Sequence, residues 1–280
     1  MKKLMFVLMI GALLLAGCGG GSSGSNPTAD AGTGTGTDPG TGADPGTDPG
    51  TGADPGTDPG TGASGSALDC LNPQLLAAGT TFQTTTRTVD DEETTVLTST
   101  ATVMGDDFFN GQSVTRVSVA VTGDEEFTAD HFMRIQDGSA GLTYGAEMTL
   151  GDFVTTIVND PYALERFDLS AGQSYSHSYT STVTYTDTAS MTELMMIKSE
   201  IQTETTYVGR ETITVEAGTF DTCRFDETMT IQVVGFPVPN TVNGTTWIGV
   251  GNGLQIMSMD DEEDIELLSA SINGTPVTGN

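Results

Sequence analysis

A strict alternation of side chains from Ser174 to Thr186 constrains the fold of this chain more than any other feature of its sequence. Successive side chains of a β-strand point to opposite faces of a sheet, so the pattern predicts a strand with one buried and one wet face. At about 3.3 Å per residue the strand would be about 43 Å long, and it must therefore twist and bend. One face carries Tyr175, His177, Tyr179, Ser181, Val183 and Tyr185, whereas the other carries only serine and threonine.

Shorter segments of residues 67–280 alternate in the same way, and glycine-containing turn dipeptides punctuate them. They predict an all-β domain of about ten to twelve strands in one large, curved antiparallel sheet, either a half-barrel or a closed barrel. A β-sandwich shows the same alternation and stays open as the alternative. One short helix is predicted near 73–77, where Asn72 can cap and Pro73 suits the first position. The turn dipeptides are Asn110-Gly111, Asp137-Gly138, Asn243-Gly244 and Asn273-Gly274.

Residues 1–17 have the features of a secretory signal. Lys2 and Lys3 precede an apolar run of 13 residues, which is too short to span a bilayer. The run closes on Leu15-Ala16-Gly17-Cys18, which resembles the lipobox of bacterial lipoproteins. The resemblance implies cleavage before Cys18, a diacylglycerol on its sulfur, and a further acyl chain, such as palmitate, on its new amino group.

Residues 18–66 join this lipidation site to the domain. From Gly19 to Ser66 there is no Phe, Leu, Ile, Val, Met or Tyr, and the unit TDPGTGADPG occurs twice, starting at Thr37 and Thr47. Such a segment cannot bury apolar surface, so it is predicted to be a disordered tether. As a flexible coil its 48 residues would span roughly 40 Å, and fully extended more than roughly 150 Å.

The charge of the chain limits its partners. The formal net charge is −29, and it becomes −31 when Lys2 and Lys3 leave with the signal. This acidity argues against nucleic acid and against attraction to anionic lipids, so the acyl chains on Cys18 must supply the membrane affinity. Acidic clusters are predicted at hairpin ends, where weak divalent-cation binding is one interpretation and solvated turns are the other. The clusters are 90–93, Asp106-Asp107, 124–126 and 260–264.

The two remaining cysteines, Cys70 and Cys223, form an even pair in an oxidising compartment and therefore predict a disulfide.

The sequence contains no recognisable catalytic motif. There is no Gly-x-Ser-x-Gly elbow, no zinc-binding spacing and no phosphate loop, so no catalytic, cofactor-binding or metal-ligating residue is predicted. His177 lies on the aromatic face of its strand, and it and His131 are expected to be core or rim residues. Because acids are abundant, a carboxylate-pair hydrolase remains open, but no pair stands out.

Two short motifs in the last third of the chain carry a second resemblance. Val215-Glu216-Ala217-Gly218-Thr219-Phe220 and Trp247-Ile248-Gly249-Val250-Gly251-Asn252-Gly253-Leu254 are similar to V-x-A-G-T-F and Gly-rich W…G-x-G-L motifs of uncharacterised bacterial periplasmic proteins and lipoproteins. The resemblance implies a curved all-β fold and brings no known activity. Gly218 is expected to permit a tight turn, and Phe220 and Trp247 are expected in the core.

Three hypotheses about function are compatible with the sequence. The first is a non-enzymatic, membrane-tethered binding or structural module of the cell envelope; the second is a carrier of an apolar ligand such as lipid; the third is the hydrolase above. The carrier hypothesis depends on methionines that could line an adaptable pocket. Gly19 follows Cys18 in place of the aspartate that retains lipoproteins at the inner membrane of enterobacteria-like cells, which suggests the outer membrane, with either the periplasmic or the surface side open. The methionines are Met191, Met195, Met196, Met229, Met257 and Met259.

Overall fold

The computed structural model describes residues 65–90, 93–124 and 126–279, and these are almost entirely β-strand. Cys18 and the tether as far as residue 64 lie outside the described residues. Two 3₁₀ helices, Ala67–Cys70 and Pro73–Leu76, come first. The strands are β1 (Thr81–Asp90), β2 (Thr94–Phe109), β3 (Gln112–Gly123), β4 (Phe127–Gln136), β5 (Ala140–Leu150), β6 (Phe153–Arg166), β7 (Gln173–Asp187), β8 (Thr192–Val215), β9 (Gly218–Val233), β10 (Asn240–Gly249), β11 (Gln255–Asp260), β12 (Glu263–Ile272) and β13 (Thr275–Pro276).

Each strand pairs antiparallel with the next, and β1 returns to pair with β12. That last pairing runs from Phe82 opposite Ile272 to Asp90 opposite Glu263, and it closes twelve strands into a barrel. The short β13 adds to the end of β12. The predicted curved antiparallel sheet is thus confirmed as a closed barrel, rather than the half-barrel or the sandwich. Closure pairs the first and last strands of the sheet, which would otherwise be exposed edges.

The inward face of the barrel is built by the alternation seen in the sequence. The predicted strand from Ser174 to Thr186 is confirmed as β7, with Val183 buried and Ser174 exposed. Neighbouring strands β2 and β3 bury alternate residues in one cluster, so the apolar side chains fill the space between the walls. Those residues are Leu97, Ala101 and Val103 of β2 and Val117, Val119 and Val121 of β3.

The N-terminal segment packs against one end of the barrel, called the capped end below. Asn72 caps the second 3₁₀ helix by accepting a hydrogen bond from the amide of Gln74 at 3.1 Å, and Pro73 begins it, as the sequence predicts. Leu75 is 1 % exposed and packs among the buried residues of β1, β2 and β3. The first 3₁₀ helix packs near β8 and β9 through Ala67 and Cys70.

Two local predictions from the sequence are wrong. Asn243-Gly244 lies inside β10, where β9 pairs with both residues and Asn243 also binds Thr228 and Asp261 through its side chain or amide. Asp106-Asp107 lies inside β2, beyond a bulge, where Arg116 forms an ion pair with Asp107 at 3.4 Å. In both places pairing with neighbouring strands outweighs the local turn preference. The dipeptides at 110–111, 137–138 and 273–274 do form turns, and their first residues have positive φ.

Candidate functional site

The disulfide predicted from the sequence joins Cys70 to Cys223, whose Cα atoms are 6.2 Å apart. It ties the N-terminal cap to β9 at the capped end. Gly65, at the start of the described chain, lies at the same end, because the Tyr207 hydroxyl donates a hydrogen bond to its carbonyl at 3.1 Å. The segment that leads back towards Cys18 therefore enters the domain at the capped end.

The cavity enclosed between β1, β2, β11 and β12 offers little room for a ligand. It has a volume of about 30 Å³ and is lined by Phe82, Ala101, Leu254 and Ile256 among others. That volume holds a water molecule or two, whereas pockets for small molecules measure about 300–1,000 Å³. The methionines proposed to line a pocket do not meet in one place: Met229 is buried, whereas Met191 is 78 % exposed and Met196 56 % exposed.

A polar part of the inner wall holds the second half of β6 in place. Beyond Asp160 this half of β6 pairs with β5 and not with β7. Side chains of β7 bridge the gap: the Tyr175 hydroxyl donates to the carbonyl of Leu164 at 3.0 Å, and Nε2 of His177 lies 2.7 Å from the carbonyl oxygen of Tyr162. His177 is thus a half-buried residue of the wall that contacts the backbone of β6.

Two carboxyl groups lie near this part of the wall. Burial, and then the charge of Glu227, raise the pKa of Glu165 well above the ordinary range for a glutamate. Glu227 accepts a hydrogen bond from the Thr205 hydroxyl at 3.1 Å. Burial also raises the pKa of Tyr175. A buried acid with a raised pKa beside a second carboxyl could serve general acid–base chemistry, which is what the hydrolase hypothesis requires. The position of Tyr175 is structural, since its hydroxyl donates to the carbonyl of Leu164 and accepts from the amide of Arg166.

His131 is the second histidine and lies in the core. It is 1 % exposed on the inward face of β4, between Val117 of β3 and Ala146 of β5, and neither ring nitrogen has a hydrogen-bond partner. Burial lowers the pKa of His131 to about 4, against an opposing effect of Asp130. A neutral ring without a polar partner is not the base of a nucleophile–base pair.

The end of the barrel opposite the cap carries exposed apolar side chains on three consecutive turns. Phe153 begins β6, the β7–β8 turn carries Met191, and the loop between β9 and β10 carries Phe236, which is 67 % exposed. These turns are neighbours, since Phe153 pairs with Asp187 of β7 and the amide of Val234 donates to the carbonyl of Lys198 in β8. We call this surface the apolar rim; it comprises Phe153, Met191, Leu194, Met195, Met196, Val234, Phe236 and Val238.

The other three turns at this end are acidic. Asp90 and Glu263 are opposite each other where β1 pairs with β12, and Asp124 follows β3. Burial, followed by repulsion from Asp260, Asp90 and Glu262, raises the pKa of Glu263 to about 7. The end of the barrel is therefore divided into an apolar half and an acidic half. Three of the four predicted acidic clusters fall here, although residues 91, 92 and 125 lie outside the described ranges.

The motifs of the second resemblance take structural roles. Gly218 has a φ of +135° at the tip of the β8–β9 hairpin, and Phe220 is buried. Trp247 is 9 % exposed; its indole N–H donates to Glu211, and the Arg224 guanidinium lies 5.7 Å from its ring centroid. The three expectations for these residues are confirmed.

No group of three or more His, Cys, Asp or Glu side chains that could hold a metal ion occurs within residues 65–90, 93–124 and 126–279. In the same ranges there is no helix long and apolar enough to cross a membrane.

Sequence reasoning missed the apolar rim because it assigned apolar residues to the core by default. A signal was present: Leu194, Met195, Met196 and Ile197 form an apolar run that breaks the period-two alternation next to a turn. Phe236 and Val238 similarly flank Pro237 in a segment that lacks strand alternation.

No protein-family model and no curated protein matches the chain. Among solved structures, a candidate lipoprotein from Parabacteroides distasonis (13 % identity, TM-score 0.42) and a candidate exported protein with YmcC-like fold from Bacteroides fragilis (13 %, 0.43) each match over 70 % of this chain and 96 % of their own. The hypothetical lipoprotein YmcC from Escherichia coli matches over 70 % of this chain and 86 % of its own, with 9 % identity and a TM-score of 0.32. With TM-scores below 0.5, these likenesses assign no function to this chain.

Proposed function

We propose that this protein is a lipid-anchored, non-enzymatic envelope lipoprotein whose barrel is a binding module, and that the apolar rim is its docking surface. The observation that carries the proposal is the exposure of the rim. Val238 is 75 % exposed, Phe236 67 % and Leu194 56 %, on neighbouring turns of a chain whose net charge is −29. Contiguous apolar surface of this kind marks interaction sites on soluble domains.

The membrane attachment rests on the sequence. The lipobox at Leu15-Ala16-Gly17-Cys18 supports acylation of Cys18, and two or three acyl chains hold a protein firmly at a bilayer. Gly19 supports the outer membrane, on either of its sides. The tether enters the domain at the capped end, so the rim lies at the end remote from the point of attachment.

The small size of the enclosed cavity argues against the carrier hypothesis. A lipid acyl chain needs a cavity far larger than the roughly 30 Å³ enclosed near Leu254. The exposed methionines lie on the rim, where flexible thioether side chains suit adaptable contact with a partner.

The test uses the lipid-anchored full chain in its host cells. A photo-crosslinking amino acid replaces Phe236 on the rim or, as a control, Thr128, which is exposed on the outer wall at β4. We expect discrete higher-mass adducts from position 236 and none from position 128. Equal yields at the two positions, or none at either, would overturn the proposed docking surface.

The lipid anchor is tested separately by fractionation of cells that carry Cys18→Ala. We expect the wild-type chain in the membrane fraction, labelled by radioactive palmitate. The variant should be found either in the soluble fraction or as the uncleaved precursor, without the label. A cleaved Cys18→Ala chain that stayed in the membrane would show a second anchor and contradict the proposal.

A further inference from the structure

β8 extends beyond its neighbour β9 at the apolar rim. The pairing of β7 with β8 begins at Asp187 opposite Thr192, whereas β9 joins β8 only at Ser199, opposite Val233. Residues 192–198 of β8 therefore lie beside β7 on one edge, where all but the bulged Leu194 are paired, and within the described parts of the chain no strand pairs with their other edge. The barrel, though closed at β1 and β12, retains a local open edge here.

The backbone groups at this edge are directed outward. The carbonyl of Lys198 accepts a hydrogen bond from the amide of Val234 at 2.8 Å, so the polar groups of Lys198 point to the β9 side. Backbone direction alternates along a strand, so the amide and carbonyl of Met196 point to the same side, where β9 is missing. Unpaired edge groups of this kind are a template for another strand.

Apolar side chains stand beside these groups. Leu194 and Met196 are each 56 % exposed, and Phe236 lies in the loop that follows β9. Natural proteins blunt free edges with charge, and Lys198 at the base of the edge is the only lysine of residues 65–280. Within the edge, Glu193 and Lys198 lie near its two ends, and residues 194–197 between them carry no charge.

Building on the proposed docking function, we propose that residues 192–198 of β8 bind a partner protein by strand addition. The partner supplies an extended segment with apolar side chains at alternate positions and a basic residue at the end that meets the β7–β8 turn. Main-chain hydrogen bonds to the edge at Met196 provide affinity, and the apolar rim receives alternate side chains. The basic end complements Asp187 and Glu193 beside the turn, whereas the opposite end lies near Lys198 and is uncharged.

Other occupants fit less well. A bilayer cannot satisfy the backbone groups of an open edge, and anionic head groups repel a chain of net charge −29. The tether has no large apolar side chain between Gly19 and Ser66 to place on the rim. A second copy of the chain would bring together two acidic surfaces.

The experiment measures binding of a synthetic, end-blocked peptide of alternating valine and threonine with lysine at one end. The lipidated full chain is held in phosphatidylcholine nanodiscs, and binding is followed by fluorescence anisotropy of a dye on the peptide. We compare wild type with Met196→Pro, which removes the outward N–H, and with Met196→Thr, which keeps it. Proline should lower the affinity at least about tenfold, and threonine by about threefold or less.

A third variant covers the case in which Met196→Pro disturbs β8. Glu193→Lys changes only an exposed side chain beside the edge, and it should weaken the lysine-ended peptide and reduce the salt dependence of its binding. Equal affinity for wild type and a folded Met196→Pro chain, or no binding to wild type, overturns strand addition. Adducts from position 236 in cells would in that case leave the docking function standing, so the two failures are distinguishable.

Two further controls separate the other occupants. A wild-type dimer in sedimentation analysis that Met196→Pro dissolves would assign the edge to a second copy and overturn the inference. Rim-dependent flotation of the Cys18→Ala chain with phosphatidylcholine vesicles would assign it to a bilayer, with the same consequence.

Discussion

His131 should make the stability of the barrel depend on pH in a way that one substitution removes. The ring lies in the core of β4 and neither nitrogen has a partner, so burial favours the neutral form. Its pKa is lowered from 6.5 to about 4 in the folded chain. The unfolded chain therefore binds the proton more tightly. The stability that the neutral ring contributes is complete above pH 6.5 and is lost as the pH falls through 4.

The size of the effect follows from the two pKa values. A pKa difference of one unit corresponds to about 1.4 kcal/mol. When the pH falls from 7 to 4.5, the linkage relation gives a loss of unfolding free energy of about 2 kcal/mol from His131 alone. The same change of pH discharges part of the excess of carboxylates, which acts on the whole chain. The informative quantity is thus the difference in unfolding free energy between wild type and His131→Leu at each pH.

Unfolding in urea can be followed by the fluorescence of Trp247, the only tryptophan and 9 % exposed, in the Cys18→Ala chain. The unfolding free energy of His131→Leu minus that of wild type should be about 2 kcal/mol larger at pH 4.5 than at pH 7. His131→Gln, which does not titrate either, should show the same pH-dependent difference even if its absolute stability is lower. A wild-type-to-variant difference that is equal at both pH values would refute the placement of a neutral, unpartnered histidine in the core.

Three other substitutions test separate parts of the structure. The raised pKa of Glu263, about 7, means that its stabilising contribution is present below pH 4.5 and is lost as the pH rises through 7. Glu263→Gln should therefore raise the melting temperature at pH 8 and change it little at pH 4; equal shifts at both would contradict this. Replacing Cys70 and Cys223 together by alanine opens a crosslink between positions 153 residues apart, which should cost up to about 5 kcal/mol in urea unfolding. An unchanged midpoint would speak against the bridge. Gly145→Ala should cost about 2 kcal/mol or more, because φ is +156° and the added carbon would meet a carbonyl of β6 and an aromatic ring. Gly244→Ala, where the added carbon makes ordinary contacts at 3.5 Å, is its control, and equal losses would contradict the reasoning.

Local periodicity predicted those parts of the fold that depend on local rules. β7 alternates without interruption over Ser174–Thr186, and its observed bounds exceed the predicted strand by one residue at each end. The second 3₁₀ helix begins where Asn72 and Pro73 predict it. The cysteine count was sufficient for the disulfide because only one pairing of Cys70 and Cys223 exists once Cys18 is assigned to the anchor.

Closure of the barrel could not be predicted, because it depends on a pairing between segments at opposite ends of the domain. Phe82 lies opposite Ile272, and nothing in either strand distinguishes that partner from another amphipathic strand. The same non-local competition explains the incorrect turn at Asn243-Gly244, which β9 and β11 incorporate into the sheet. A sandwich and a barrel therefore show the same sequence pattern, and only the pairing of β1 with β12 distinguishes them.

The site was harder to predict than the fold, since exposure is a property of strand ends. Met229 and Met196 are the same residue type on adjacent strands of the barrel; one is buried and the other is 56 % exposed. Met229 lies on the inward face, opposite the buried Thr203, whereas Met196 lies on the outward face, opposite Thr184, in the part of β8 that runs on past β9. Hydrophobicity alone does not tell which face of a strand or which end of the barrel a methionine occupies.

The position of the rim relative to the tether bears on how a partner would be reached. The chain enters at the capped end near Tyr207, and the rim lies a strand length away; β7, with 15 residues, is about 50 Å long at about 3.3 Å per residue. As the flexible coil that the sequence predicts, the 48 residues from Gly19 to Ser66 would span roughly 40 Å, similar to that length. With the proposed anchor at Cys18, the rim would reach either a partner that stands away from the membrane or one embedded in it, at an effective concentration that the predicted tether sets. Shortening the tether by one TDPGTGADPG unit should affect the second arrangement more than the first. Crosslinking yields at position 236 in such a chain would then indicate which side the partner occupies.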